Sequence, residues 1–307
     1  PSIDGLTPID QLRKIEKALK PLLKKLDNYW MDYILPTLKE NNIKLLSFEN
    51  IPEDDKVKLT EYFKKEVYPV LTPLAFDPGR PFPYISNLSL SLAILIRKPN
   101  GENHFARVKV PSILSRLLQI DSIIEPKKTP GSNGNFTANY IWLGDLIKAN
   151  LPLLFPGMEI VEAHRFRITR DTDIELQEDE ADDLLSVIEE NIKQRRFGSV
   201  VRLEVGHPVP DFMLDTLIDN LQITKDDVHV SDGPLGLSDV MSLFKLPLHQ
   251  LKEKPFYPVI PKVFEEEEDF FSIIRQKDIL LHHPYHSFSP IIDFIKKAAL
   301  DPDVLAI

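Results

Sequence analysis

The amino-acid sequence predicts an α+β chain with more than one folding unit. Apolar residues near the N-terminus recur at helical spacing. Residues 88–96 and 104–110 alternate apolar with small or polar residues on either side of Pro99, Asn100 and Gly101, a pattern typical of a β-hairpin. Strand-like and helix-like segments then alternate between residues 159 and 230 without a long parallel core. The 307 residues also exceed one average domain.

The N-terminal helix is predicted to begin at Pro8, with Thr7 as its N-cap. Its apolar positions are Leu12, Ile15, Leu19, Leu22, Leu26, Tyr29 and Tyr33. We expect Pro21 to kink or split the helix, because proline lacks a backbone N–H and collides with the carbonyl of Lys17. The apolar face fits either a short coiled-coil arm or ordinary packing against a neighbour missing from this chain. The proline interrupts the heptads, which favours the second interpretation.

The middle of the chain contains the remaining predicted elements of the largest unit. A second helix is expected over residues 53–67, ending near Pro69. The alternation in residues 88–96 predicts a half-buried strand. A loop over 127–135 precedes strands at 159–169, 200–205 and 228–230 and helices at 178–194 and 211–221. We expect the helices to cover one face of the sheet.

Towards the C-terminus, Pro255, Pro258 and Pro261 indicate an extended linker and a domain boundary. The acidic residues 265–269 then read as a solvated helix start. Beyond them we predict a strand over residues 278–281, a helix over 288–299 and the first residues of a strand over 304–307. These would form a strand-helix-strand unit with nothing to cover it.

Composition narrows the function classes. The chain has no cysteine, which excludes disulfides, thiolate metal sites and cysteine nucleophiles. A net charge of -10 opposes non-specific binding to nucleic acid or to an anionic membrane, so any polyanion site has to be local. No apolar run approaches the roughly 20 residues of a membrane span. The first five residues lack an initiator methionine and a signal-peptide pattern, so we expect the natural N-terminus to be missing.

The best local candidate for chemistry is the segment that holds His282, His283, Tyr285 and His286 at a predicted strand end. If the strand continues, His282 and His283 point to opposite sides and do not share a metal easily. A structural role, in which Tyr285 packs and one histidine bonds to the backbone, is favoured over a ligand role.

Basic residues are densest at Lys193, Arg195, Arg196 and Arg202. They could converge on a phosphate, although cations at a helix end also complement the helix dipole, and the second interpretation is favoured.

A second basic set, Arg165, Arg167 and Arg170, alternates along the preceding strand. Its expected partners are Asp171, Asp173 and Glu175. The acidic run from Glu265 to Asp269 cannot converge on one Mg²⁺, because consecutive helical residues diverge. No phosphate-binding loop, zinc-binding helix or serine nucleophile elbow occurs.

Several sequence blocks together resemble the bacterial polyphosphate kinases of the histidine-phosphorylating type. They are DPGRPFPYISNLSL at residues 77–90, FRITRDTD at 166–173, RRFGSVVRLEV at 195–205, DGPL at 232–235, DILLHHPY at 278–285 and DPDVLAI at 301–307. They occur in family order and cover nearly the whole chain. Arg80 departs from the family pattern, which often has histidine there.

The resemblance implies reversible transfer of the terminal phosphate of ATP to inorganic polyphosphate, with Mg²⁺ and a phosphohistidine intermediate. In the family the nucleophile lies in a His-x-Lys motif of later, phospholipase-D-like domains, and a second histidine lies in the final domain. An early Asn-Leu-Asp-Glu-Phe block contributes to nucleotide binding. None of these regions occurs here, so we expect this chain to supply no catalytic, cofactor-binding or metal-binding residue and to bind neither ATP nor Mg²⁺ tightly.

The resemblance also implies a domain layout. Residues 1–43 map onto the end of an N-terminal helical domain, residues 44–270 onto the head domain, and residues 271–307 onto the truncated start of the first catalytic α/β phospholipase-D-like domain. ATP, ADP and polyphosphate would be partners of the complete enzyme, which is expected in the cytoplasm, with association with a membrane as the alternative. Neither nucleic acid nor a membrane span is expected.

The leading functional hypothesis is a scaffold and dimerisation region of such a kinase, assembled as a homo-oligomer. An independent module that dimerises or binds a partner is the alternative. A free-standing phosphotransferase that uses His282 or His283 is disfavoured, because no supporting base or phosphate cradle is visible in the sequence.

Overall fold

The computed structural model describes residues 5–76, 82–125, 137–171, 198–264 and 269–305. The chain divides into two compact units, Pro1–Leu243 and Phe244–Ile307. The predicted loop over 127–135, the predicted helix over 178–194 and the basic residues Lys193, Arg195 and Arg196 lie outside the described residues. The domain bounds implied by the resemblance remain predictions.

The N-terminal helix, α1, spans Pro8–Tyr29 and begins as predicted. The Thr7 hydroxyl accepts a hydrogen bond from the Asp10 N–H at 3.2 Å, and Pro8 occupies the first turn, where its missing N–H costs nothing. The helix continues through Pro21, so the predicted split is wrong. A π-helical turn, Trp30–Ile34, and helix α2, Leu35–Glu40, follow.

Two sheets form the first unit. The small sheet has the order β1 (Ile43–Leu45), β6 (Ala138–Trp142), β5 (Leu117–Gln119), with β1 parallel to β6. The large sheet has the order β2 (Pro73–Phe76), β4 (Asn103–Lys109), β3 (Leu90–Arg97), β7 (Glu159–Arg170), β8 (Val200–Gly206), β9 (Val228–Ser231). All its neighbours are antiparallel except β8 and β9. The predicted hairpin and the three later strands are confirmed.

Helices lie between and after these strands. They are α3 (Glu53–Tyr62), α4 (Ile120–Ile124), α5 (Leu143–Ala149), α6 (Leu151–Leu154) and α7 (Asp211–Leu221). A π-helical turn, Phe63–Val67, extends α3 as far as the predicted helix end. Short 3-10 helices are Phe48–Asn50, Tyr68–Val70, Lys225–Asp227 and Leu237–Lys245.

The large sheet is covered on both faces, whereas the sequence predicted cover on one face and a half-buried first strand. Leu92 and Ile94 of β3 belong to one buried cluster, together with residues of α3 and α5. Ala93, which points to the other side, belongs to a second cluster with Phe166 of β7 and Met213 of α7. Both faces of β3 are therefore buried.

The described residues of the second unit form two α-helices and little other regular structure. Helix α8, Phe270–Gln276, is capped by Asp269, and α9, Ser289–Leu300, matches the predicted helix. Short 3-10 helices are His249–Leu251 and Lys262–Phe264. The predicted strand over residues 278–281 is wrong, because no described residue pairs with it in a ladder. Residues 304 and 305 also lie in no strand.

Candidate functional site

An apolar seam follows α1 and the π-helical turn after it, and its first three members also line a groove between α1 and the large sheet. Its members are separated by alternating steps of three and four residues: Leu12, Ile15, Leu19, Leu22, Leu26, Tyr29 and Tyr33. All except Leu19 are exposed, with Leu12 at 66% and Leu22 at 62%. Tyr29 and Tyr33 stack with ring centroids 4.9 Å apart. This spacing is the a/d geometry with which one helix packs on another. We call this surface the α1 seam.

The opposite side of α1 is anchored through Asp27, which is 8% exposed. Its Oδ1 accepts a hydrogen bond from the Ser231 hydroxyl at 2.9 Å, and its Oδ2 accepts one from the Asp232 N–H at 3.2 Å. A Cβ atom on Gly233 would lie 2.9 Å from Oδ1, so the close approach requires glycine. These contacts fix the direction in which the α1 seam faces.

Asp27 was not predicted from the sequence to have a role. Its position could have indicated burial, because Asp27 lies four residues after Leu23 and three before Trp30, on the side of α1 that packs on the rest of the unit. A lone carboxylate on that side requires buried donors as partners. Only the tertiary structure shows that they come from residues some 200 positions later in the chain.

A groove of about 470 Å³ separates α1 from the edge formed by β8 and β9. Leu19 and Leu23 line its helical side, and Val201 and His229 line the strand side. Burial lowers the pKa of His229 below its ordinary value, and the nearby Arg202 lowers it further. The neutral imidazole is therefore favoured in the folded groove.

The histidine segment of the second unit has the structural arrangement that its sequence favoured. The His283 Nδ1 and the His286 carbonyl oxygen are 2.9 Å apart, and the His286 Nδ1 accepts a bond from the His282 N–H at 3.0 Å. Tyr285 packs against Phe256 with ring centroids 5.6 Å apart. The imidazoles of His283 and His286 are thus bound to local backbone.

Three arginines of the large sheet lie beside carboxylates that were not predicted as their partners. The Arg167 Nη1 lies 2.6 Å from Glu204 Oε2, and the Arg202 Nη2 lies 3.3 Å from Glu204 Oε1. Arg165 lies 3.8 Å from Asp145. Burial raises the pKa of Asp145, and Arg165 opposes that shift.

Arg170 bonds to main-chain oxygens. It donates to the Ile85 carbonyl at 2.8 Å and to the Gly198 carbonyl at 2.7 Å, and its guanidinium lies 4.7 Å from the centre of the Tyr84 ring. It thereby joins the segment before β3 to the start of β8. Its expected partners Asp173 and Glu175 lie outside the described residues.

The described ranges offer no metal centre, because no three of their histidine and acidic side chains are grouped to hold an ion. In the same ranges, no helix has both the length and the apolar character that crossing a membrane requires.

Comparison with known proteins gives two family matches. The polyphosphate kinase middle domain matches residues 54–243, and polyphosphate kinase C-terminal domain 1 matches residues 269–307. The polyphosphate kinase 1 of Chlorobaculum tepidum is 47% identical over 309 residues, which cover 100% of this chain and 43% of that protein. The polyphosphate kinases of Prosthecochloris aestuarii and Mycobacterium tuberculosis are 44% and 41% identical, with 100% of this chain and 42% of each relative covered.

A solved structure has the same fold. The crystal structure of polyphosphate kinase from Porphyromonas gingivalis superimposes with a TM-score of 0.75 at 23% identity, over 96% of this chain and 41% of that one. The chain spans 42–43% of the length of these curated relatives.

Proposed function

The chain belongs to the polyphosphate kinase family, and on that premise we propose that it is the scaffold and dimerisation region of an enzyme that reversibly transfers the terminal phosphate of ATP to inorganic polyphosphate. The complete enzyme uses ATP and Mg²⁺ and forms a phosphohistidine in the cytoplasm. No His-x-Lys sequence occurs in the 307 residues, so the nucleophile belongs to another part of that enzyme. Residues 1–43, 44–270 and 271–307 correspond to its helical, head and first catalytic domains.

The α1 seam carries the scaffold and dimerisation part of this proposal. Its six exposed members present on the order of 100 Å² each, about 600 Å² together, compared with the roughly 800 Å² that one partner contributes to a standard interface. Lys25 and Asp32 flank the seam with opposite charges. Two antiparallel copies of α1 that cross near Tyr29 place Lys25 of one copy beside Asp32 of the other, and the contact then covers the seam from Leu22 onwards. We assign the seam to a second copy of the chain.

Light scattering across a concentration series tests this assignment. We expect the chain to self-associate and the double variant Leu22→Lys/Leu26→Lys to be monomeric, because two buried ammonium groups would oppose the contact. Ile113→Lys is the matched control, since Ile113 is 82% exposed in the same unit and lies outside the seam. A strictly monomeric chain would remove dimerisation. A dimer that survives both seam substitutions would show that the chain associates through a different surface.

The prediction that the catalytic nucleophile lies outside this chain is tested by incubating the chain with γ-labelled ATP and Mg²⁺. We expect neither polyphosphate nor acid-labile label, because His283 and His286 are bound to local backbone and the His-x-Lys motif is lacking. His282→Ala and His283→Ala are the control variants. Label that is present in the native chain and lost in either variant would contradict the scaffold role.

The alternative is an independent dimerisation or partner-binding module, which the same exposed seam would serve. The two functions differ in what the chain restores. A scaffold region restores polyphosphate synthesis when it is joined to the remaining domains of a relative, whereas an independent module does not.

A further inference from the structure

The first unit contains a second cavity, of about 440 Å³, remote in sequence from α1. It lies between the turn at residues 86–89, the end of β4 and the loop at 110–116. Five serine side chains contribute to its lining: Ser86, Ser89, Ser112, Ser115 and Ser242. We call it the serine cavity.

Two cations line the serine cavity. The Lys109 Nζ lies 3.3 Å from Ser86 Oγ, and no carboxylate in the described ranges pairs with this lysine. Arg116 is largely buried, and it donates from Nη1 to Asp239 at 2.8 Å and from Nη2 to the Leu235 carbonyl at 3.3 Å. Its buried Nε has no hydrogen-bond partner among the described residues. Asp239 offsets the charge of Arg116, so the charge of Lys109 is left uncompensated.

Further donors in the lining are unused. Ser86 accepts the bond from Lys109 and keeps its own hydroxyl hydrogen free to donate, while the Ser112 hydroxyl bonds to no described residue. The Asn87 Oδ1 accepts from the Arg170 N–H at 2.9 Å, which leaves its amide Nδ2 available. The backbone N–H groups of Ser112, Ser115 and Arg116, which also line the cavity, have no described backbone acceptor. The lining thus offers unmatched donors, which suits an oxyanion.

The turn that carries Ser86 and Asn87 is held rigidly. Leu88 has a left-handed φ of 57°, a costly conformation for leucine. Its N–H donates to the Ile168 carbonyl at 2.9 Å, and its carbonyl accepts from the Arg167 Nε at 3.2 Å. The donors are therefore in place before a ligand binds, which lowers the entropy lost on binding.

We propose that the serine cavity binds a short linear oligophosphate through Lys109, Ser86, Asn87 and Ser112. The cavity volume corresponds to on the order of fifteen waters, more than one tetrahedral oxyanion fills, so linked phosphate groups fit. Phosphate is chosen over other oxyanions on the basis of the proposed function, whereas the oxyanion class follows from the donors alone.

Calorimetric titration without Mg²⁺ tests the proposal with four probes: tripolyphosphate, inorganic phosphate, sulfate and ATP. We expect tripolyphosphate to bind more tightly than the two single anions and at least as tightly as ATP. Lys109→Met should weaken it by about tenfold or more, the effect of losing one charge-assisted hydrogen bond. Lys58→Met is the control, because Lys58 is an exposed lysine of α3 outside the cavity. The affinity of this variant for tripolyphosphate should stay within about twofold of that of the native chain.

Several results would overturn the proposal. They are an absence of tripolyphosphate binding by the folded chain, equal weakening by the two lysine substitutions, sulfate binding as tight as tripolyphosphate, and ATP binding tighter than tripolyphosphate. If Lys109→Met melts early, Ser112→Ala carries the test, since Ser112 is exposed and its hydroxyl bonds to no described group. Light scattering of the same samples measures self-association independently, so a loss of oligophosphate binding can be told apart from a loss of dimerisation.

Discussion

Replacing Asp27 tests whether the anchor beneath α1 holds the helix on the sheet. Asp27→Ala removes both acceptors, for the Ser231 hydroxyl at 2.9 Å and for the Asp232 N–H at 3.2 Å. Hydrogen bonds to a charged acceptor contribute roughly 1.5–3 kcal/mol each. Ser231 has a second, longer contact with the Gly233 carbonyl at 3.4 Å, which recovers part of the loss. We therefore expect the free energy of unfolding to fall by about 3 kcal/mol.

Urea unfolding followed by tryptophan fluorescence measures this change. Both tryptophans of the chain, Trp30 and Trp142, lie in the first unit, are buried, and have ring centroids 6.4 Å apart. Trp30 follows α1 directly, so its emission reports release of the helix. Glu61→Ala is the control, because Glu61 is exposed on α3 and lies outside the seam, and the substitution should cost less than about 0.5 kcal/mol. A loss of less than about 1 kcal/mol for Asp27→Ala would refute the anchor.

Three further predictions concern other parts of the chain. Burial holds the pKa of His229 below its value near 6.5 in the unfolded chain, so the free energy of unfolding should fall as pH drops from 6.5 towards the lower folded pKa. The urea midpoint should therefore depend less on pH in His229→Gln than in the native chain. Leu88→Gly should leave the melting temperature unchanged or raise it, because glycine adopts the left-handed φ of 57° without strain. A lower melting temperature would contradict a strained turn. Residues 278–288 should exchange their amide hydrogens faster than those of β8, because they form no strand ladder. If hydrogen exchange measured by mass spectrometry is equally slow in both segments, residues 278–288 are packed against a second copy.

Local sequence signals determined much of the first unit. Thr7 and Pro8 determined the start of α1, and residues 99–101 determined the turn between β3 and β4. The a/d spacing determined the α1 seam. These features depend on backbone preferences and side-chain periodicity over a few residues, so they can be recognised without knowledge of distant partners. The ordered sequence blocks likewise determined the family.

Tertiary structure decided the features that depend on distant segments. Helices lie on both faces of the large sheet, and Ser231 lies beside Asp27. Residues 278–281 do not form the predicted strand. Tertiary structure also gathered Ser86, Lys109 and Ser112 around one cavity. A strand needs a partner to satisfy its backbone, and a buried carboxylate needs donors that only the folded chain supplies. Sequence period describes which side of an element is apolar, whereas the assembled fold decides what lies against it.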